Sequence, residues 1–229
     1  MTRIAILETG APPPALRGEH GDYPAMIGTM LGGGVEIERF DVQAGELPNP
    51  AVFDAAIITG SPADAYADTP WILALVEWIR LARGQTRLVG ICFGHQAMAR
   101  AFGGRVAKSE RGWGIGLHRY DVVGAEGWME PAAPEVAIVA SHQDQVIDKP
   151  AGARVTLRSD FTPNAGLAYG DDAISFQGHP EFSRAFAAAL AKGRRGVIDG
   201  ALVDRALESL QQATDRRMVG DWIKRFVAG

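Results

Sequence analysis

Gly90-Ile91-Cys92-Phe93-Gly94 sets the chain's single cysteine between two glycines, directly after an apolar run and ahead of a helical pattern. A nucleophile at such a turn is held in a strained, exposed conformation, and small flanking residues let the chain reverse without clashes. The turn also opens a helix, whose free N–H groups and macrodipole favour a thiolate. The Phe93 N–H then points toward an oxygen bound beside the sulfur and supplies half of an oxyanion hole. A free cysteine is also commonly a small buried hydrophobe. The place after a strand and between two glycines tips Cys92 toward chemistry.

A thiol nucleophile needs a base, and the base needs an orienter. Five histidines are available. His20 lies in a Pro/Gly-rich loop, His118 in a polar strand, and His95 in the elbow itself, facing out. His142 lies in Ser141-His142-Gln143-Asp144, and His179 in Gln177-Gly178-His179-Pro180-Glu181, just after an apolar run. Pro180 biases His179 toward extended geometry, and residues i and i+2 of an extended segment project to the same side. Glu181 can therefore lie beside the His179 ring and fix its tautomer. A turn histidine with a solvated glutamate would be the better reading of these residues alone. Cys92 on the same sheet edge makes catalysis the preferred one.

The elements that must position these groups follow from apolar spacing. Arg3–Leu7, Ala55–Ile58, Arg87–Ile91 and Ala173–Phe176 read as buried strands, and Val35–Phe40 as a half-exposed one. Residues 23–31, ending in Gly32-Gly33-Gly34, and the run after Pro70 carry helical spacing. A helix is expected from Phe93 to Phe102, and the Pro-rich stretch after Thr9-Gly10 reads as an irregular loop. Strands alternating with helices argue for a mostly parallel sheet covered on both faces. In such a sheet the ends of Arg87–Ile91 and Ala173–Phe176 open on one edge, where ligands bind. Between Arg105 and Tyr169 the pattern turns to short segments, read as added antiparallel strands. Helices are expected over 182–190, 202–210 and after Asp215. The last carries Met218, Val219, Trp222, Ile223, Phe226 and Val227 as one stripe, suited to packing on the core or to a partner.

Three separated motifs together resemble the class I (triad) glutamine amidotransferases, in a stand-alone, GMP-synthase-like form. Gly90-Ile91-Cys92-Phe93-Gly94-His95-Gln96 is similar to the family's G-x-C-x-G-x-Q motif. Gln177-Gly178-His179-Pro180-Glu181 is similar to its Q-x-H-P-E segment, and Thr59-Gly60-Ser61-Pro62 to its G-G-P turn. The resemblance implies a flavodoxin-like α/β fold and a catalytic triad of Cys92, His179 and Glu181. It implies backbone oxyanion donors at Ser61 and Phe93, with Gly60 and Gln96 beside the substrate. Ser141-His142-Gln143-Asp144-Gln145-Val146 resembles the family's S-H-x-D-x-V stretch, which places Ser141 and His142 near the glutamine α-amino-acid group; an Asx/Ser-type turn without a ligand is the other reading. Arg111-Gly112-Trp113 is a looser match near the pocket. One departure stands out: Ser61 replaces the glycine that usually precedes the proline, adding a side chain and reducing the peptide's freedom to reorient.

Composition bounds what else the chain can be. It has 229 residues, a formal net charge of -4, 47% apolar and 22% charged residues, as expected for one globular unit and not for a disordered chain. No basic face suggests nucleic acid, and no apolar run or leader suggests a membrane. A lone cysteine excludes an internal disulfide framework and offers no zinc site, so the expectation is a cytoplasmic protein without metal or cofactor. The amidotransferase match spans residues 1–190, and 191–229 reads as a helical extension packed on the same domain. No G-x-x-x-x-G-K-[ST] loop or other nucleotide signature is present to consume ammonia. Three functions remain: a glutaminase that releases ammonia for a separate acceptor synthetase; a γ-glutamyl peptidase or hydrolase with the same triad; or a catalytically quiet regulatory or binding subunit.

Overall fold

The structure is a computed structural model that describes all residues, 1–229. The chain starts with β1 (Thr2–Glu8), α1 (Pro14–His20), α2 (Tyr23–Leu31), β2 (Val35–Asp41) and β3 (Ala55–Ile58). It continues through α3 (Pro70–Ala82), β4 (Arg87–Ile91) and α4 (Phe93–Ala101). Next come β5 (Arg105–Lys108), β6 (Gly114–Val122), β7 (Glu135–His142), β8 (Asp144–Asp148), β9 (Arg154–Arg158), β10 (Gly166–Tyr169) and β11 (Ala173–Phe176). The helices α5 (Arg184–Gly193), α6 (Gly200–Ser209) and α7 (Arg216–Ala228) close it.

Nine strands form one sheet in the order β2-β1-β3-β4-β11-β10-β9-β6-β7, and β5 and β8 form a separate ribbon. From β2 to β11 the pairings are parallel. From β11 to β7 they are antiparallel, which is where the sequence changes from helical spacing to short segments. Strands β1, β3, β4 and β11 are buried on both faces, as crossover helices require, and the edge strand β2 is half-exposed. Ile4 and Ile6 of β1 join Ile27 and Leu31 of α2 and Trp222 and Ile223 of α7. Ala5 and Leu7 join Ile72 and Ile79 of α3 and Met98 of α4 on the other face. No helix is long and apolar enough to cross a membrane.

One helix departs from the expected loop. Helix α1 begins at Pro14, a suitable first-turn residue, within the Pro-rich segment. It buries none of its residues, so it carries no apolar periodicity to announce it. Helix α5 starts at Arg184 rather than Phe182 because Ser183 caps it, its Oγ accepting from Phe186 N at 3.1 Å.

Candidate active site

The end of β4 delivers Cys92 into the one left-handed conformation adopted by a non-glycine residue, φ 53° and ψ -101°. Such a backbone costs free energy and persists only where neighbours over-determine it. Here the Cys92 N–H donates to Phe176 O at 2.8 Å, the Gly94 N–H to Thr59 O at 3.2 Å, and the Gln96 N–H to Cys92 O at 3.1 Å. The flanking glycines are demanded by close approach. A Cβ on Gly94 would lie 2.3 Å from Ile58 O, and one on Gly90 2.6 Å from the Gly94 carbonyl carbon. Strand, turn and helix are thus in contact closer than any side chain allows.

His179 is fixed from three directions. Its N–H donates to Val139 O at 2.8 Å, tying the segment after β11 to β7. Its Nδ1 lies 2.7 Å from Glu181 Oε1, and its ring lies flat on Phe182 with centroids 3.9 Å apart. The carboxylate partner sets Nδ1 as the protonated nitrogen of the neutral ring and leaves Nε2 for chemistry. Gly60 closes the arrangement: a Cβ there would be 3.1 Å from His179 Cε1 and 3.8 Å from Cys92 Cβ. Burial alone would drive the imidazolium toward neutrality. The facing Glu181 carboxylate and Cys92 sulfur outweigh it and raise the His179 pKa to about 10.

The backbone N–H groups of Ser61 and Phe93 have no acceptor in the protein. Thr9 anchors the loop that carries the first of them, its hydroxyl donating to Thr59 O at 2.9 Å. Ser61 Oγ accepts from Ala63 N at 3.2 Å, so the hydroxyl standing in the usual glycine position is folded back onto its own loop. Gln96 Nε2 donates to Asp144 O at 2.9 Å and to Gln177 Oε1 at 3.1 Å, which uses both amide hydrogens to tie α4 to the start of β8 and to the segment after β11. Ser141 lies at the end of β7 and accepts from Arg194 Nη1 at 2.8 Å, in a strand rather than a side-chain turn. His142 lies beside it, its ring packed against Phe161 with centroids 6.1 Å apart and kept neutral by burial, its pKa pushed down to about 3.

His95 corrects the sequence reading. It does not face out: it is fully buried, and its Nδ1 is 2.7 Å from Ser175 Oγ. Helix α4 packs back against the sheet, so the face three residues past Cys92 is turned beneath β11. His20 and His118 lie outside the cluster formed by Cys92, His179 and Glu181. Two cavities meet at Cys92, sharing Ser61, Ser141 and Arg194. One, of about 560 Å³, is walled by the Pro12–Arg17 segment, Tyr23, His179, Phe182 and Leu190. The other, of about 260 Å³, is polar and carries Asp64, Gln96, Lys108, Trp113 and Asp144. Burial and the facing Asp64 push the Asp144 pKa up to about 6. No three His, Cys, Asp or Glu side chains are grouped to hold a metal ion.

Sequence reasoning missed Phe182, Arg194 and Arg216. Phe182 directly follows the His-Pro-Glu segment and was within reach of a reading that asked what the ring packs on. Arg216 donates from Nη2 to Glu181 O at 3.0 Å, and Arg194 reaches the pocket from the end of α5. Single arginines on late helices leave no local pattern.

Residues 28–188 match the family model of the class-I glutamine amidotransferases. Among curated proteins, the chain is similar to gamma-glutamyl peptidase 4 of Arabidopsis thaliana, 33% identical over 175 residues that cover 72% of this chain and 70% of that one. It is also similar to gamma-glutamyl peptidase 5 of the same plant, 28% identical over 221 residues, 91% and 88% of the two chains. Among solved structures, a glutamine amidotransferase from Thermotoga maritima superposes with a TM-score of 0.77 at 19% identity, covering 100% of this chain and 99% of that one. That likeness is one of fold.

Proposed function

The chain belongs to the class-I glutamine amidotransferase family, and on that premise we propose that it is a cysteine hydrolase of γ-glutamyl amide bonds working through a γ-glutamyl thioester. The observation that carries this reading is the joint placement of Cys92, on its strained elbow, and His179, held between Glu181 and Phe182, both facing Gly60. Cys92 attacks the γ-carbonyl carbon. The unpaired N–H groups of Ser61 and Phe93 receive the oxyanion, in a site where such donors are worth roughly 3–4 kcal/mol each. His179 gives its proton to the departing amine and then takes one from water, which releases glutamate and frees the thiol. Glu181 keeps the ring oriented throughout.

Glutamine and γ-glutamyl peptides both fit this chemistry. The first would yield ammonia for a separate acceptor protein and the second a free amino compound. Sequence motifs alone favour glutamine. The relatives named gamma-glutamyl peptidase, matched over most of the chain, favour the second. The intact triad and the two free N–H groups weigh against a quiet subunit.

Cys92→Ala tests the assignment. Hydrolysis of glutamine and γ-glutamyl peptides is expected to fall on the order of 10⁴-fold or more, as for loss of a triad nucleophile. Circular dichroism and thermal melting should show an intact fold. A glutamine-analogue alkylator should add once, on Cys92, by intact mass. Retained activity in the variant, or an adduct elsewhere, would remove Cys92 from the mechanism.

A further inference from the structure

Proton delivery fixes the side from which a leaving group departs. In a thioester hydrolase built on Cys92, His179 must reach the amine nitrogen as the C–N bond breaks. Of the two cavities that meet at Cys92, His179 lines only the larger, of about 560 Å³, whereas Gln96, His142 and Asp144 line only the smaller. The polar cavity is thus left for the glutamyl head and the larger one for whatever leaves. Ammonia needs about the room of one water, ~30 Å³. The larger cavity has the size of sites that enclose whole organic ligands, about 300–1,000 Å³.

Its lining states what kind of ligand. The walls are apolar, from Pro12–Leu16, Tyr23, Phe182 and Leu190, and no aspartate or glutamate faces the space. Two guanidinium groups do, those of Arg17 and Arg194. Neither is paired with a carboxylate anywhere in the chain. Arg17 Nε donates to Pro12 O at 2.7 Å, and Arg194 Nη1 donates to Ser141 Oγ at 2.8 Å while its guanidinium sits 5.0 Å over the Trp113 ring. Arg194 is the better placed, because it also borders the smaller cavity and so stands at the junction beside Cys92. Held by Ser141 and Trp113, it presents its remaining N–H groups with no protein acceptor. A partly buried guanidinium with unused donors is suited to a planar carboxylate, which it can bind through two parallel hydrogen bonds.

Building on the hydrolase function, we propose that the larger cavity is a leaving-group subsite for an apolar α-amino acid with a free carboxylate, which Arg194 binds. On this basis γ-glutamyl amides of such amino acids are preferred over glutamine. The Cys92 sulfur forms the bond to the γ-carbonyl carbon, and the C–N bond breaks. The nitrogen takes its proton from His179 and leaves as the free amino acid through the larger cavity. Water then enters the vacated space, loses a proton to His179, and cleaves the thioester to glutamate. Atoms and charge balance with water as the only co-reactant.

The test compares kcat/KM for glutamine, γ-glutamyl-leucine and γ-glutamyl-leucine amide, whose carboxylate is masked. The wild-type protein is expected to favour γ-glutamyl-leucine over each of the other two by about tenfold or more. In Arg194→Gln the ratio of acid to amide should collapse toward one, while Arg194→Lys should keep part of it. Comparable rates on all three substrates, or an unchanged acid-to-amide ratio in Arg194→Gln, would overturn the subsite. Failure to hydrolyse any of them, glutamine included, would instead overturn the hydrolase function itself. The two failures are therefore distinct.

Discussion

Glu181 sits 2.7 Å from His179 Nδ1, and both side chains are nearly free of solvent, at 2% and 4% exposure. Desolvation disfavours the imidazolium, yet the Glu181 carboxylate and the Cys92 sulfur together hold the pKa near 10. The stability consequence has a definite sign. A raised folded-state pKa contributes stability in full below the unfolded value of about 6.5, and that contribution is lost as pH climbs through about 10. Glu181→Gln keeps the volume and a hydrogen-bond acceptor but removes the charge. In the native protein the His179 ¹⁵N shifts should stay those of an imidazolium from pH 5 to 8. In the variant they should titrate within or below that range, with kcat/KM falling by orders of magnitude as ring orientation and charge support are lost. A variant ring still charged at pH 8 would mean that Cys92 alone sets the proton, and that Glu181 does not.

Strand β4 and helix α4 meet at a turn whose tightness belongs to the elements and not to the cysteine. Gly94 lies against the end of β3, where a Cβ would be 2.3 Å from Ile58 O. Gly94→Ala must therefore push α4 away from β3 and carry the Thr59–Ser61 loop with it. Overpacking of this kind costs about 1–3 kcal/mol or more, and a shift of an ångström at the proposed oxyanion donor Ser61 can cost on the order of 10² in rate. Urea unfolding with kcat/KM on the same samples checks both. A stability loss with an unchanged rate would show that the loop is positioned independently of the elbow. The glycine spacing was legible in the sequence because close approach forces residue type at fixed intervals. The pair His179 and Glu181 was legible from its spacing, but the extended segment expected from Pro180 is a turn, closed by the Phe182 N–H donating to His179 O at 3.3 Å, and the two side chains meet across it. His95 was misread because the phase of a helix against its sheet is a tertiary property, absent from a nine-residue helix in which nearly every residue is buried. Helix α1 was hidden because it fully buries no residue, and Arg194 because its contacts are with Ser141 and Trp113, far away in the chain.

Helix α7 joins the beginning of the chain, the Glu181 backbone and the antiparallel half of the sheet. Its apolar stripe lies in the same cluster as Ile4 and Ile6 of β1. Asp215 ahead of it accepts from Ala137 N of β7 at 2.7 Å, and Arg216 donates to Glu181 O at 3.0 Å. Trp222 is fully buried and donates from Nε1 to Pro131 O at 3.0 Å. If the last helix is part of one cooperative unit, its largest side chain must contribute to the stability of the whole. Trp222→Ala removes a buried indole at a cost of about 3–5 kcal/mol. At roughly 2–4 °C per kcal/mol for a chain of this size, the single melting transition should drop by about 6–20 °C. Calorimetry should show the whole endotherm moving, and kcat/KM measured well below the new melting point should stay within a few-fold of the native value, because Trp222 lines neither cavity at Cys92. If α7 were instead an independent appendage, the main transition would stay in place and a small separate transition would shift alone. Were kcat/KM to fall with the fold intact, the link from α7 through Arg216 to the Glu181 backbone would carry catalytic geometry as well as stability.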